Sequence, residues 1–252
     1  VYASDADGFA ALLHSMLSLA RHLQDPRSCV VHLIVPGEDL PRARKLLACF
    51  RRELASLSAL PEVVLHELQP SRFNVSGLWR QKRRSDSSVA ANLARNYLPD
   101  YLPDVPRVLW LDTDTIVQAD VAPLFRTPLR HTVGAVSETQ WGIYALYDHA
   151  PPAMKRIFER DLADWSWFNP GVLIIDLQRW KAENRTDQIE SEVKRLDGWL
   201  IDTVALNMAF LDKFHLLEPD WNFQGLMSAT NWSEYELALR MAKILHWHNG
   251  WK

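Results

Sequence analysis

Apolar residues fall into two rhythms along the chain. Val30-Val31-His32-Leu33-Ile34-Val35, Val63-Val64-Leu65-His66, Val108-Leu109-Trp110-Leu111 and Gly171-Val172-Leu173-Ile174-Ile175 are near-continuous hydrophobic runs of strand length. Strands of that kind are buried on both faces, so the runs predict a mixed, mostly parallel sheet flanked by helices, an α/β fold. Between them the period becomes helical: from Phe9 to Leu23, Phe9, Leu13, Leu17 and Ala20 share a face that Leu12, Met16 and Leu19 widen. Val1 to Asp5 read as a short strand entering a loop just ahead of that helix. A second helix is predicted over Ser87–Leu98, with Val89, Leu93 and Tyr97 toward the core and Ser88, Asn92 and Arg95 on a polar stripe. Pro99, Pro103 and Pro106 break it before the next strand.

Charge narrows the picture. With 252 residues, 28 Lys and Arg against 31 Asp and Glu, and a net charge of −3, the chain is neither a disordered tail nor a basic nucleic-acid binder. No repeat, low-complexity tract or Gly/Ser linker interrupts it, so residues 1–252 read as one domain. Its start without Met reads as trimmed, and an anchor upstream would lie outside the sequence. No apolar run approaches the roughly 18 residues of a membrane span. Cys29 and Cys49 are too few for a disulfide framework or a zinc site, and read as thiols or a single bridge. Sequons at Asn74, Asn184 and Asn231 point to the Golgi or another secretory lumen; a bacterial source would instead place the protein in the cytoplasm. Arg80-Gln81-Lys82-Arg83-Arg84 is the one basic cluster, read as a solvated loop or a contact for an anion.

The chemistry concentrates in Val108-Leu109-Trp110-Leu111-Asp112-Thr113-Asp114-Thr115. Ligand sites of open α/β sheets lie beyond strand carboxyl ends, and Asp112 and Asp114 fall there. Carboxylates at i and i+2 on extended backbone point the same way, so the pair supplies two hard oxygen ligands for a divalent ion. A plain Asx turn is the simpler account of either aspartate alone. The same letters also fit a haloacid-dehalogenase-type phosphatase with Asp112 as nucleophile. About a hundred residues of α/β pattern precede the motif, however, and the downstream Gly-Asp element of that family is absent.

Several segments in order resemble the family 8 glycosyltransferases. They are Tyr2-Ala3-Ser4-Asp5, Ala91-Asn92-Leu93-Ala94-Arg95-Asn96-Tyr97-Leu98, the Asp112-Thr113-Asp114 strand, Trp167-Phe168-Asn169-Pro170-Gly171-Val172-Leu173-Ile174-Ile175-Asp176, and Ile244-Leu245-His246-Trp247-His248-Asn249-Gly250-Trp251-Lys252. The resemblance implies a GT-A fold and retaining transfer of a hexosyl or hexuronosyl unit from a UDP-sugar to a glycan or glycoconjugate acceptor. It implies manganese, or magnesium in its place, held by Asp112, Asp114 and His246. Ala3, Asp5 and Asp7 would face the uridine, Asn92 and Arg95 the donor, Thr113 the same pocket, and Gly250 and Lys252 the diphosphate. Two carboxylates and an imidazole suit manganese better than calcium.

His246 lies six residues before Lys252, the spacing of the family motif; His248, on the same strand face, is the competing ligand. Gly250 stands one position later than the family's glycine, and the Pro-Trp that follows in the pattern would lie past the chain's end. The catalytic candidates are Asp202, Thr203 and Asn169. Asp202-Thr203-Val204-Ala205-Leu206-Asn207 carries Thr203 where several members have glutamine, which favours front-face substitution over a covalent sugar on Asp202. Asn169 is expected near a bound sugar or simply at the start of a strand. Of the 11 tryptophans, Trp165, Trp167, Trp221 and Trp232 are candidates for stacking on sugar rings. A sugar-nucleotide-forming nucleotidyltransferase would need a Gly-rich basic loop, which Ser4-Asp5-Ala6-Asp7-Gly8 is not. A non-catalytic relative that only binds the sugar nucleotide fits the same residues.

Overall fold

The computed structural model describes residues 1–69, 86–138, 155, 166–195, 201–210, 213–224 and 232–247. Its strands are β1 (Tyr2–Ala3), β2 (Val30–Pro36), β3 (Glu62–Leu68), β4 (Arg107–Leu111), β5 (Thr115–Val117), β6 (Val133–Ser137), β7 (Phe168–Asp176), β8 (His215–Leu216) and β9 (Ile244–His246). The four apolar runs are β2, β3, β4 and β7. The short strands β5, β6, β8 and β9 carry too few residues for a period to show.

The strands β1, β2 and β3 form a parallel group, with Leu33 facing Tyr2 on one side and Leu65 on the other. A second group runs β4-β7-β6-β8. Val1 joins the two: its nitrogen donates to the Leu109 carbonyl at 2.6 Å, and Leu111 N donates to its carbonyl at 3.1 Å. Bonds that straddle Trp110 in this way are of parallel type. Since β7 is antiparallel to both β4 and β6, and β8 is parallel to β6, β7 alone is reversed in this run of seven. The mostly parallel sheet is therefore present.

Alternation along the strands sends side chains to two cores. Ile34, Trp110, Leu173 and Ile175 join one, with Leu93, Ala94 and Tyr97. Leu33, Val35, Leu111, Val172 and Ile174 join the other, with Leu12 and Met16 of helix α1 (Phe9–His22) and Leu47 and Phe50 of helix α2 (Leu40–Glu53). Period 2 on a sheet covered on both sides demands this division.

The second predicted helix differs from expectation. Helix α3 spans Asp86–Leu93, the chain tightens to a 3₁₀ turn over Ala94–Tyr97, and a further helical turn runs Leu98–Tyr101. Pro99 lies in the first turn of that last segment, where its missing N–H costs nothing, so it opens a helix instead of ending one. Trp167 and Trp221 are buried and Trp232 is exposed, while Trp165 lies outside the described residues. Both cysteines are free thiols. Among the described residues, no helix is long and apolar enough to cross a membrane.

Candidate metal centre

The centre is assembled where β4 ends. Asp112 N donates to the Gly171 carbonyl at 2.8 Å, which carries the β4–β7 ladder one residue past the apolar run. Its Oδ1 accepts the indole N–H of Trp110 at 2.7 Å and faces Arg95 Nη1 at 3.5 Å. Arg95 is only 2% exposed; it also donates to the Pro170 carbonyl at 2.8 Å, and its guanidinium lies 5.3 Å from the Trp110 ring centre. The sequence stripe placed Arg95 toward a ligand. It stands in the 3₁₀ turn, buried beside the Asp112 carboxylate of the same centre.

The turn after Asp112 is fixed by hydroxyls. Thr115 Oγ1 donates to the Asp112 carbonyl at 2.8 Å, so it must accept from Ser15 at 2.9 Å, and Ser15 from Tyr2 at 3.1 Å. This buried chain pins the acidic turn to α1 and β1. It also starts β5, whose pairing with β9 places Thr115 opposite His246. Trp247 N donates to the Asp114 carbonyl at 3.0 Å, so Asp114 and His246 are brought together from opposite ends of adjacent strands.

His246 is 3% exposed, with Nε2 3.4 Å from Asp114 Oδ1 and Nδ1 3.0 Å from Asn222 Oδ1. Its ring packs against Gly171 of β7: a Cβ added there would come within 2.6 Å of Nδ1. One ligand atom each from Asp112, Asp114 and His246 lies within 4.8 Å of the others. Both aspartates are half-buried, so the group faces outward on one side. Two carboxylate oxygens and one imidazole nitrogen, cradled by a glycine, fit a first-row divalent ion.

The other sequence candidates divide. Ala3 ends β1, beside β4, so Ala3 to Asp5 and Asp112 to Asp114 lie at the same edge of the sheet. Asp5 is buried and caps the turn Ala6–Gly8 by accepting from Gly8 N, whereas Asp7 is exposed. Thr113 and Asn92 are half-buried, and the Asn92 carbonyl accepts from Arg95 Nε. Asn169 is completely buried within β7 and bonded to Gly171, Asn222 and Glu138. It therefore stands behind His246. Thr203 is half-buried on the helix Ile201–Phe210, which the Asn207 side chain fastens to the Phe168 backbone, accepting from its N–H and donating to its carbonyl. The Asp202 side chain, His248, Gly250 and Lys252 lie outside the described residues.

Two residues at the centre, Asn222 and Glu138, were not singled out from the sequence. The available signal was a lone amide between aromatics in Trp221-Asn222-Phe223, since a buried polar group requires a partner.

Residues 1–252 match the family model described as glycosyl transferase family 8. The chain is 27% identical over 194 residues to Glycosyltransferase 8 domain-containing protein 1 of Rattus norvegicus, covering 67% of this chain and 52% of that protein. It is 29% identical over 254 residues to Probable galacturonosyltransferase-like 7 of Arabidopsis thaliana, covering 97% and 66%. The chain thus spans about half the length of the first of these relatives. Among solved structures, the galactosyltransferase LgtC in complex with donor and acceptor sugar analogs aligns with a TM-score of 0.71 at 19% identity, covering 98% of this chain and 86% of that one. Mouse xyloside xylosyltransferase 1 aligns with a TM-score of 0.63 at 18% identity, covering 97% and 96%. At such identities these two establish the shared GT-A fold.

Proposed function

This chain belongs to glycosyltransferase family 8, and we propose that it is the retaining, metal-dependent kind, moving a hexosyl or hexuronosyl unit from a UDP-sugar to a glycan or glycoconjugate acceptor. The observation that carries this reading is the convergence of Asp112, Asp114 and His246 within 4.8 Å at the carboxyl end of β4. These three would hold the ion, with manganese the best match to the donor set. When bound, the ion supplies Lewis-acid stabilisation of charge on a departing diphosphate.

The chain's own residues prepare that site. Trp110 and Arg95 fix the Asp112 carboxylate before any ligand arrives, so no reorganisation is needed as charge develops. Ala3 and Asp5, at the same edge, are proposed to receive the uridine, and Lys252 and Gly250 the diphosphate. The short Thr203 favours front-face substitution, in which the donor's phosphate oxygen takes the acceptor hydroxyl's proton. A sugar trapped covalently on Asp202 would overturn that step alone. Placement in a secretory lumen rests on the sequons, of which Asn184 is exposed.

The test is hydrolysis of a panel of UDP-sugars, with manganese and with chelator, comparing the wild type and Asp114→Ala. Ion-dependent turnover that is lost in the variant is expected. Equal turnover with chelator would remove the role of the acid pair, and donor affinity without sugar release to any acceptor would indicate a binding protein.

A further inference from the structure

Behind the metal centre a line of buried polar side chains leads to His246. Glu138, just past the end of β6, accepts from Asn169 Nδ2 at 2.9 Å. Asn169 Oδ1 accepts from Gly171 N at 2.9 Å and from Asn222 Nδ2 at 2.9 Å. Asn222 Oδ1 meets His246 Nδ1 at 3.0 Å. All four side chains are buried.

We infer that Asn222, aligned by Asn169 and Glu138, is a positioning residue that holds His246 as the Nδ1–H tautomer and so presents the Nε2 lone pair to the cation. Side-chain amides can ordinarily be placed either way round, because their oxygen and nitrogen are alike in shape. Here both ends of Asn169 are fixed by groups of one polarity. A backbone N–H can only donate, so the Asn169 atom facing Gly171 N is its oxygen. A carboxylate only accepts, so the atom facing Glu138 is its nitrogen. An oxygen at that position requires a donor opposite, which fixes Asn222 with its nitrogen toward Asn169. Its oxygen is then turned to the imidazole. That oxygen can be satisfied only by a proton on Nδ1, so the nitrogen that can give up its proton to a cation is Nε2, 3.4 Å from Asp114 Oδ1.

The direction of each bond thus passes from a backbone amide and a buried acid, through two amides, to one imidazole nitrogen. An imidazole binds a metal through its unprotonated nitrogen, and the group bonded to the other nitrogen selects which one that is. Gly171 takes part twice, as the N–H that orients Asn169 and as the floor against which the ring lies.

This inference rests on the metal-site reading above, and the experiment separates the two. Metal-free protein labelled with ¹⁵N-histidine is measured well above the ordinary imidazole pKa of about 6.5, for the wild type, Asn222→Leu and Glu138→Gln. Manganese titrations follow on the same samples. The wild type is expected to show His246 with its proton on Nδ1. Asn222→Leu removes the acceptor without opening a large cavity, so the resonance should shift toward an Nε2–H mixture and the manganese dissociation constant should rise about 10- to 100-fold. Glu138→Gln keeps an oxygen that can accept from Asn169, so its shift in tautomer and affinity should be smaller than that of Asn222→Leu. A wild-type His246 protonated on Nε2 would overturn the inference, and needs no variant to fold. An Asn222→Leu protein with unchanged tautomer and affinity would overturn it as well. Absence of manganese binding in a wild type carrying the Nδ1 proton would instead strike the metal reading and leave the alignment standing.

Discussion

Two histidine environments in this molecule differ in what lies on each side of the ring. His246 has an amide oxygen behind it and two carboxylates in front. His32 and His66, on the neighbouring parallel strands β2 and β3, face each other, with Nδ1 of one 3.0 Å from Nε2 of the other. That pair is half-buried, and Tyr101 lies edge-on to His66 at 6.4 Å. Burial pushes His32 down to about 4, with the positive amino group of Val1 and then the facing His66 adding to the effect, and burial lowers His66 too. A pair of imidazoles spends one nitrogen from each ring on the other. The His246 arrangement spends one on an amide and leaves the second beside the two acids, so it is the surroundings that make this ring a candidate ligand.

Asp112→Ala should break the difference most severely. It removes a ligand and leaves both the Trp110 N–H and the buried Arg95 without their carboxylate, so manganese-dependent transfer should fall more than about 100-fold. Stability should drop by about 1.5–3 kcal/mol, a range typical of hydrogen bonds to charged groups. Denaturant unfolding beside a turnover assay checks both, and a fully stable variant would mean that the other partners of Arg95, the Pro170 and Asn92 carbonyls among them, satisfy it without the carboxylate.

Gly171→Ala should act next most strongly, because the new methyl occupies the space of the imidazole. Manganese affinity is expected to fall about 10-fold or more, as for loss of a ligand's supporting contacts. Ring signals of His32 and His66 should stay in place. Calorimetric titration together with a histidine spectrum reads both outcomes, and retained affinity would show that the ring can shift without loss.

The smallest effect belongs to the paired histidines. Because the folded-state value of His32 lies near 4 and the unfolded one near 6.5, the unfolded chain takes up a proton that the folded chain refuses between those limits. Stability contributed by the neutral pair is therefore complete above about pH 6.5 and declines as the pH falls toward 4. Thermal melts across that window should show the decline in the wild type and a shallower one in His32→Gln. An equal slope in both would assign the acid sensitivity to other groups.

Legibility in the sequence followed distance along the chain. The apolar runs of β2, β3, β4 and β7 announced themselves because burial on both sides leaves no polar positions, and Asp112 and Asp114 stood out at the end of one run. The link from those acids to His246 came through a family motif, since no local pattern joins residues so far apart. Arg95 was assigned to the right segment, but a helical wheel shows neither the 3₁₀ turn over Ala94–Tyr97 nor the burial of the guanidinium beside Trp110 and Asp112. Glu138, Asn169 and Asn222 come from three separated segments, and each is an ordinary polar residue until β6, β7 and the turn Pro219–Asn222 are packed together. Polar alignment of that kind is a property of the folded contacts.

The most direct measurement is a manganese titration of the wild type, Asp112→Ala, Asp114→Ala, His246→Ala and a His32→Gln/His66→Gln double variant, each with UDP present. We expect one ion bound by the wild type and by the double variant with equal affinity, and a severe loss in each of the three single variants. Wild-type affinity in His246→Ala, or its loss in the double variant, would contradict a centre built from the end of β4 and the end of β9.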